Sequence, residues 1–143
     1  MISLEFARQL KEAGLIWNPS LHDFFAIPDR GLDDRVFVIS NMLVNTELFM
    51  GLPIVTFQGT SEWALDYLVT SEAIWMPTEE QLRSEIMRRL PESPDSILRF
   101  TCTSEVYTCE IEFNGGMHSF SNTQAAETYA KALSYLLSNG TGI

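Results

Sequence analysis

Residues 97–140 read ILRFTCTSEVYTCEIEFNGGMHSFSNTQAAETYAKALSYLLSNG, and this stretch decides the fold class. Apolar and polar residues alternate in its first part, with the period of half-buried β-strands. Asn114-Gly115 is a dipeptide favoured in two-residue type I′ turns, which predicts an antiparallel hairpin. From Thr123 onward, apolar residues follow the 3.6-residue period of a helix. The predicted elements are strands over 97–102, 106–113 and 117–121, and a helix from Thr123 to Gly140.

The register of this meander bears on its cysteines and on one histidine. Matching the apolar faces of the first two strands leaves Cys102 and Cys109 as diagonal neighbours, about 7 to 8 Å apart and beyond disulfide reach. Both are therefore interpreted as small core residues. The turn pairs His118 with Ile111 on the core side. We interpret His118 as a partly buried, hydrogen-bonded side chain rather than a catalytic base.

The rest of the chain alternates between helix caps and short extended runs. The further predicted elements are a helix from Ser3 to Ala13, a strand over 15–17, a β-rich segment over 35–43, a strand over 54–57, a helix from Thr60 or Ser61 to Leu68, a short strand over 73–76 and a helix capped by Thr78 and Gln81. We predict one α+β domain over residues 1–143, with a mainly antiparallel sheet of five or six strands and about four helices.

The chain contains a weak internal repeat. A shift of about 63 residues superposes three identical pairs, Glu47 on Glu110, Phe57 on Phe120 and Thr60 on Thr123. The two superposed segments have the same predicted order of strand, turn, strand, cap and helix, which suggests a βββα duplication. The alternative is that two meanders ending in capped helices share the same chemistry.

Charge restricts the classes of partner. The 143 residues carry 19 carboxylates against nine Lys and Arg, for a formal net charge of −10. The bases are mostly scattered, so we expect no nucleic-acid partner and no binding to anionic membranes. We find no apolar run of signal-peptide or membrane-helix length, and predict a cytoplasmic protein. A basic protein is the partner that this charge favours.

One segment, residues 22–35, combines many chemically active side chains. Its polar members are His22, Asp23, Asp29, Arg30, Asp33, Asp34 and Arg35, and aromatic residues stand among and before them at Trp17, Phe24 and Phe25. Histidine and carboxylates suit a metal or acid/base site. The alternative is a solvated loop of turn-forming aspartates with an Arg–Asp ion pair.

The sequence lacks the common catalytic and cofactor motifs. We find no G-x-S-x-G, no phosphate- or dinucleotide-binding glycine motif and no C-x-x-C pair. We therefore predict no catalytic residue, no metal ligand set and no cofactor.

Two short segments are alike, Ile-Trp-Asn-Pro-Ser at 16–20 and Ile-Trp-Met-Pro-Thr at 74–78. Asp23 follows the first as Gln81 follows the second, so both are interpreted as extended segments entering capped helical turns. With their neighbours they resemble segments of small uncharacterised bacterial proteins, over roughly the first 90 residues. The resemblance implies a bacterial source and carries no known activity.

These observations favour a non-catalytic protein-binding or regulatory module with an unknown partner. The alternative is a small metal-dependent or acid/base hydrolase that uses the 22–35 loop. The predicted ligand- or partner-binding residues are Trp17, His22, Asp23, Phe24, Asp29, Arg30 and Trp75. Strand edges and three tryptophans also lead us to expect a homodimer.

Overall fold

The computed structural model describes residues 1–28, 35–40, 44–49, 51–57, 67–69 and 72–139. The chain forms two compact units, one made of Met1–Leu15 with Pro77–Ile143 and the other of Ile16–Met76. The prediction of a single domain over residues 1–143 stays a prediction. The elements, in order, are α1 (Leu4–Glu12), β1 (Phe24–Ala26), β2 (Phe37–Val38), β3 (Val44–Phe49), β4 (Leu52–Phe57), β5 (Tyr67–Val69), β6 (Ile74–Trp75), α2 (Glu79–Arg89), β7 (Ile97–Cys102), β8 (Tyr107–Phe113), β9 (Gly116–Asn122) and α3 (Ala125–Ser138).

The α+β class is confirmed, but the predicted arrangement of the strands is wrong. The described strands form three separate three-stranded antiparallel sheets, ordered β2-β1-β6, β3-β4-β5 and β7-β8-β9, rather than one sheet of five or six. Three helices are described rather than about four. None of these three has the length and apolar character needed to cross a membrane.

The meander of the first unit has the predicted register. Cys102 pairs with Tyr107, and His118 pairs with Ile111. Asn114 and Gly115 have φ angles of 52° and 77°, the two positive values that a type I′ turn requires. The hairpin prediction is therefore confirmed.

Helix α3 covers one face of this meander. Its buried side chains are Ala126, Thr128, Tyr129, Ala130, Ala132, Leu133 and Leu136. The ring of Tyr129 stacks on Phe100 with centroids 4.4 Å apart. The predicted cap at Thr123 is wrong, because the Asn122 side chain accepts the Gln124 N–H at 2.9 Å and the helix starts after Gln124.

Helix α1 begins at the predicted cap, where the Ser3 hydroxyl accepts the Phe6 N–H. It ends in a Schellman motif, in which Gly14 has a φ of 110° and donates to Lys11 while Leu15 donates to Leu10. These bonds hold Leu15 to the helix end. The predicted strand over 15–17 is therefore wrong.

Helix α2 has the predicted capping box. The Thr78 side chain accepts the Gln81 N–H, and the Gln81 side chain accepts the Thr78 N–H at 2.9 Å. The predicted inner stripe of Leu82, Ile86 and Leu90 is buried. The cap and the stripe are confirmed.

The second unit departs most from the predicted elements. Residues 67–69 form β5 and pair with β4, so the predicted helix ending at Leu68 is wrong there. Pairing with β4 outweighs the local helix propensity of these residues. The predicted cap at Thr60 or Ser61 lies outside the described residues.

The proposed βββα duplication is supported only for one hairpin. The shift lays β3 and β4 over β8 and β9, and both pairs are antiparallel hairpins. The same shift superposes the strand β5 on the helix α3. It also superposes β2 on β7, but β2 pairs with β1 whereas β7 pairs with the following strand, β8. Among the described residues, the repeat therefore does not extend beyond the hairpin.

Candidate functional site

The carboxylate of Asp23 anchors the start of the second unit. Asp23 is only 4% exposed, and its Oδ2 accepts the Trp17 Nε1–H at 2.9 Å and the Ser20 N–H at 3.0 Å. The Ser20 N–H bonds to Asp23 as the Thr78 N–H bonds to Gln81, which the sequence predicted, but the predicted helical turn is wrong because this turn leads into β1. Buried carboxylates need such donors to offset lost hydration. Asp23 therefore has a structural role in this site.

The turn that contains His22 has a backbone conformation, with positive φ, that glycine adopts most readily. The Asp23 N–H donates to the Ser20 carbonyl at 3.1 Å, and His22, the third residue of this turn, has a φ of 73°. The His22 N–H donates to Ile39 O and the Ile39 N–H donates to Asp23 O, both at 2.9 Å. His22 and Asp23 thus both lie opposite the single residue Ile39. This arrangement is a G1 β-bulge, and its first position, occupied by His22, favours glycine. His22 occupies this position with an exposed side chain.

An aromatic core supports this turn. The Phe25 ring lies 5.4 Å from the Trp17 ring and 5.5 Å from the Phe37 ring, between centroids. Phe25 is fully buried with Ile27, Ile39 and Ala73. The packing fixes β1 and β2, and with them the backbone on either side of the bulge.

Phe24 and Trp75 occupy different positions in the sheet β2-β1-β6. Phe24 pairs with Val38 and is half-buried. Trp75 pairs with Phe25, so it lies on the opposite face of the sheet from Phe24. The Trp75 Nε1 atom is buried, and within the described part of the chain it has no hydrogen-bond partner. Trp75 thus presents its indole N–H to the interior rather than to solvent.

The structure brings some of the predicted site residues together and separates others. Trp17 and Asp23 are bonded to each other, while the neighbouring His22 side chain is exposed. His22 and Asp23 therefore do not converge on one cleft. Asp29 and Arg30 lie outside the described residues, as do Asp33 and Asp34 of the hydrolase hypothesis.

Over the described ranges, no group of three or more His, Cys, Asp and Glu side chains is arranged to hold a metal ion. The hydrolase hypothesis, which uses the 22–35 loop, stays a prediction, because residues 29–34 of that loop lie outside the described residues.

Sequence reasoning missed four exposed apolar side chains, two in the segment that leads into the turn and two in the segment of β2. Their exposed fractions are 74% for Ile16, 47% for Leu21, 44% for Val36 and 40% for Val38. The period-two pattern Val36-Phe37-Val38 was the available signal, since it buries Phe37 against the core and turns both valines to the other face. We name Ile16, Leu21, His22, Val36 and Val38 the turn surface.

The two cysteines differ in exposure. Cys109 is buried, as predicted, but Cys102 is exposed at the last residue of β7, so its predicted core position is wrong. The strand ends there, and the residues that follow it, 103–105, are exposed as well. Burial, and secondarily the charge of Glu110, raises the pKa of the Cys109 thiol from 9.0 to about 12.

We predict that a thiol reagent modifies one cysteine per native chain at pH 8 and two in denaturant, because only Cys102 is accessible. The measurement is mass spectrometry after iodoacetamide treatment. Since the folded pKa of Cys109 lies above its unfolded value, its contribution to stability is complete below pH 9 and declines as the pH rises toward 12. Two fast-reacting thiols in the native chain would contradict the packing of Cys109.

The resemblance to small bacterial proteins, and the source that it implies, stay expectations. No model of a protein family, no curated protein and no solved structure matches the chain.

Proposed function

We propose that this chain is a non-catalytic protein-binding module that contacts its partner through the turn surface. The observation that carries the proposal is His22, an exposed side chain at a backbone position that favours glycine. A side chain at positive φ costs about 1–2 kcal/mol relative to glycine. Strained positions of this kind concentrate at functional sites.

Exposed apolar residues in the segment before His22 and in the paired β2 segment support a contact surface. Ile16, Leu21 and Val38 expose 74%, 47% and 40% of their surface within the same unit. The aromatic core and the bonds of Asp23 hold the adjoining backbone rigidly. Exposed side chains on a rigid support lose little entropy on binding, which favours affinity.

Asp23 supports binding over catalysis. Its Oδ2 is already occupied by two donors, and the side chain is almost fully buried. A general base needs to reach the proton that it abstracts. Asp23 therefore serves to position the turn, and the partner contact falls to His22 and its apolar neighbours.

We predict that His22→Gly separates stability from binding. Relief of the positive φ is expected to leave the free energy of unfolding unchanged or to raise it by up to about 1 kcal/mol. Loss of the imidazole is expected to weaken partner capture severalfold. The measurement is capture by the immobilised chain from a lysate of the source organism, quantified by mass spectrometry, alongside urea denaturation.

The matched control is Ser104→Gly, which also replaces an exposed side chain with glycine but lies between β7 and β8 in the other unit. This variant is expected to capture the same proteins as the wild type. If His22→Gly is as stable as the wild type and captures every protein equally well, the turn surface is not the binding site.

A further inference from the structure

The meander β7-β8-β9 has one face covered by α3 and one face exposed. Phe100 stacks on Tyr129 of α3, and His118 lies against Tyr135 with its Nε2 atom 3.1 Å from the tyrosine oxygen. Because side chains alternate along a strand, the residues next to Phe100 and His118 point away from the helix. Thr101 and Ser119 on this second face are exposed accordingly.

A cleft of about 410 Å³ lies at one end of the exposed face. Ile97, Glu112 and Met117 stand side by side across the three strands, as the pairing shows. The lining residues are Asp95, Ile97, Glu112, Phe113, Gly115, Gly116 and Met117. Its volume falls in the range of about 300–1,000 Å³ that is usual for ligand pockets.

The cleft combines exposed apolar surface with negative charge. Met117 is 57% exposed, and the half-buried Ile97 lies on the other side of Glu112. Asp95 and Glu112 contribute two carboxylates, and the lining contains no base. Arg99 forms ion pairs with both Glu110, at 3.1 Å, and Glu112, at 3.8 Å, and the longer distance leaves the Glu112 carboxylate only partly neutralised.

We propose that this cleft binds an arginine side chain of a basic partner protein, an inference that rests on the proposed protein-binding function. The aliphatic stem of an arginine packs against Ile97 or Met117, which flank Glu112, while the guanidinium meets the carboxylates of Asp95 and Glu112. Arginine is enriched at protein interfaces and pairs with carboxylates in a fork geometry that lysine lacks. The net charge of −10 steers a basic partner toward the chain.

The test is a titration that does not depend on capture of the natural partner. N-acetyl-arginine methylamide is added to the full-length ¹⁵N-labelled chain, and amide shifts are followed by NMR. We expect saturable shifts at Gly115 and Gly116, which line the cleft, with a dissociation constant in the millimolar range. N-acetyl-citrulline methylamide, which is similar in shape but neutral, is expected to give no saturable shift.

Two double variants test the assignment. Asp95→Asn with Glu112→Gln is expected to raise the dissociation constant about fivefold, since the two exposed pairs together are worth about 1 kcal/mol. Glu12→Gln with Glu105→Gln removes the same charge away from the cleft and is expected to change it less than twofold. Raising the salt concentration should weaken arginine binding.

Several outcomes would overturn the proposal. They are no saturable shift with the arginine probe, equal binding of the citrulline probe, equal loss in the two double variants, and tighter binding of N-acetyl-lysine methylamide. Failure of the titration with His22-dependent capture intact removes the arginine cleft alone. If the cleft binds the arginine probe but His22→Gly captures the same proteins as the wild type, the turn surface is excluded as the binding site and the arginine cleft is retained.

Discussion

Leu133→Ala is expected to lower the free energy of unfolding by about 2–5 kcal/mol. Leu133 lies in the middle of α3, fully buried among Tyr129, Ala130 and Leu136. Truncation removes apolar surface and leaves a cavity that rigid neighbours cannot fill. Because a domain is stable by only about 5–15 kcal/mol, this single change removes a large part of its stability.

Leu137→Ala is the matched control for this prediction, because it makes the same substitution one turn later at a half-buried position. We expect it to cost less than half as much. The measurement is urea denaturation followed by circular dichroism at 222 nm, which reports the helices. Equal losses in the two variants would show that α3 does not pack through Leu133.

Asp23→Ala is expected to lower the free energy of unfolding by about 2–4 kcal/mol. The substitution leaves the Trp17 indole N–H and the Ser20 N–H without their acceptor. A buried donor that loses its acceptor costs about 1–3 kcal/mol. Asp23→Asn retains one carbonyl oxygen, so we expect it to recover part of the loss.

Two tryptophan variants separate this effect from simple loss of packing. Trp17→Phe removes a donor to Asp23 and is expected to cost about 1–3 kcal/mol. Trp75→Phe removes a buried N–H that has no partner within the described residues, so it is expected to cost less. Equal costs for the two variants would contradict the anchoring role of Asp23.

The same measurements test whether the chain is one domain. All three tryptophans lie in residues 16–76, whereas the three described helices lie in the other unit. Tryptophan fluorescence and circular dichroism therefore report different units. One domain, as the sequence predicts, requires the two transitions to coincide in the wild type and to shift together in Leu133→Ala.

Local patterns were sufficient to predict much of the first unit. The Asn114-Gly115 turn determined the register of β8 and β9, and the Thr78–Gln81 capping box determined the start of α2. Each of these features depends on residues only a few positions apart. Short-range steric and hydrogen-bonding preferences are therefore sufficient to specify them.

In the second unit, contacts between distant parts of the chain decided the structure. The pairing of β5 with β4 turned a predicted helix end into a strand, and the pairing of β1 with β6 joins residues about fifty positions apart. Neither pairing has a local signature, because strand propensity reflects packing against partners that are remote in sequence.

The candidate site shows the same division. The sequence by itself singled out Trp17, His22 and Asp23 as a polar and aromatic group, and placed Asp23 in a capped turn. Only the tertiary structure decided that Asp23 is buried and bonded to Trp17, whereas His22 is exposed at a glycine-type position. Burial depends on the bulge opposite Ile39 and on the Phe25 core, and these form only when segments far apart in the sequence pack together.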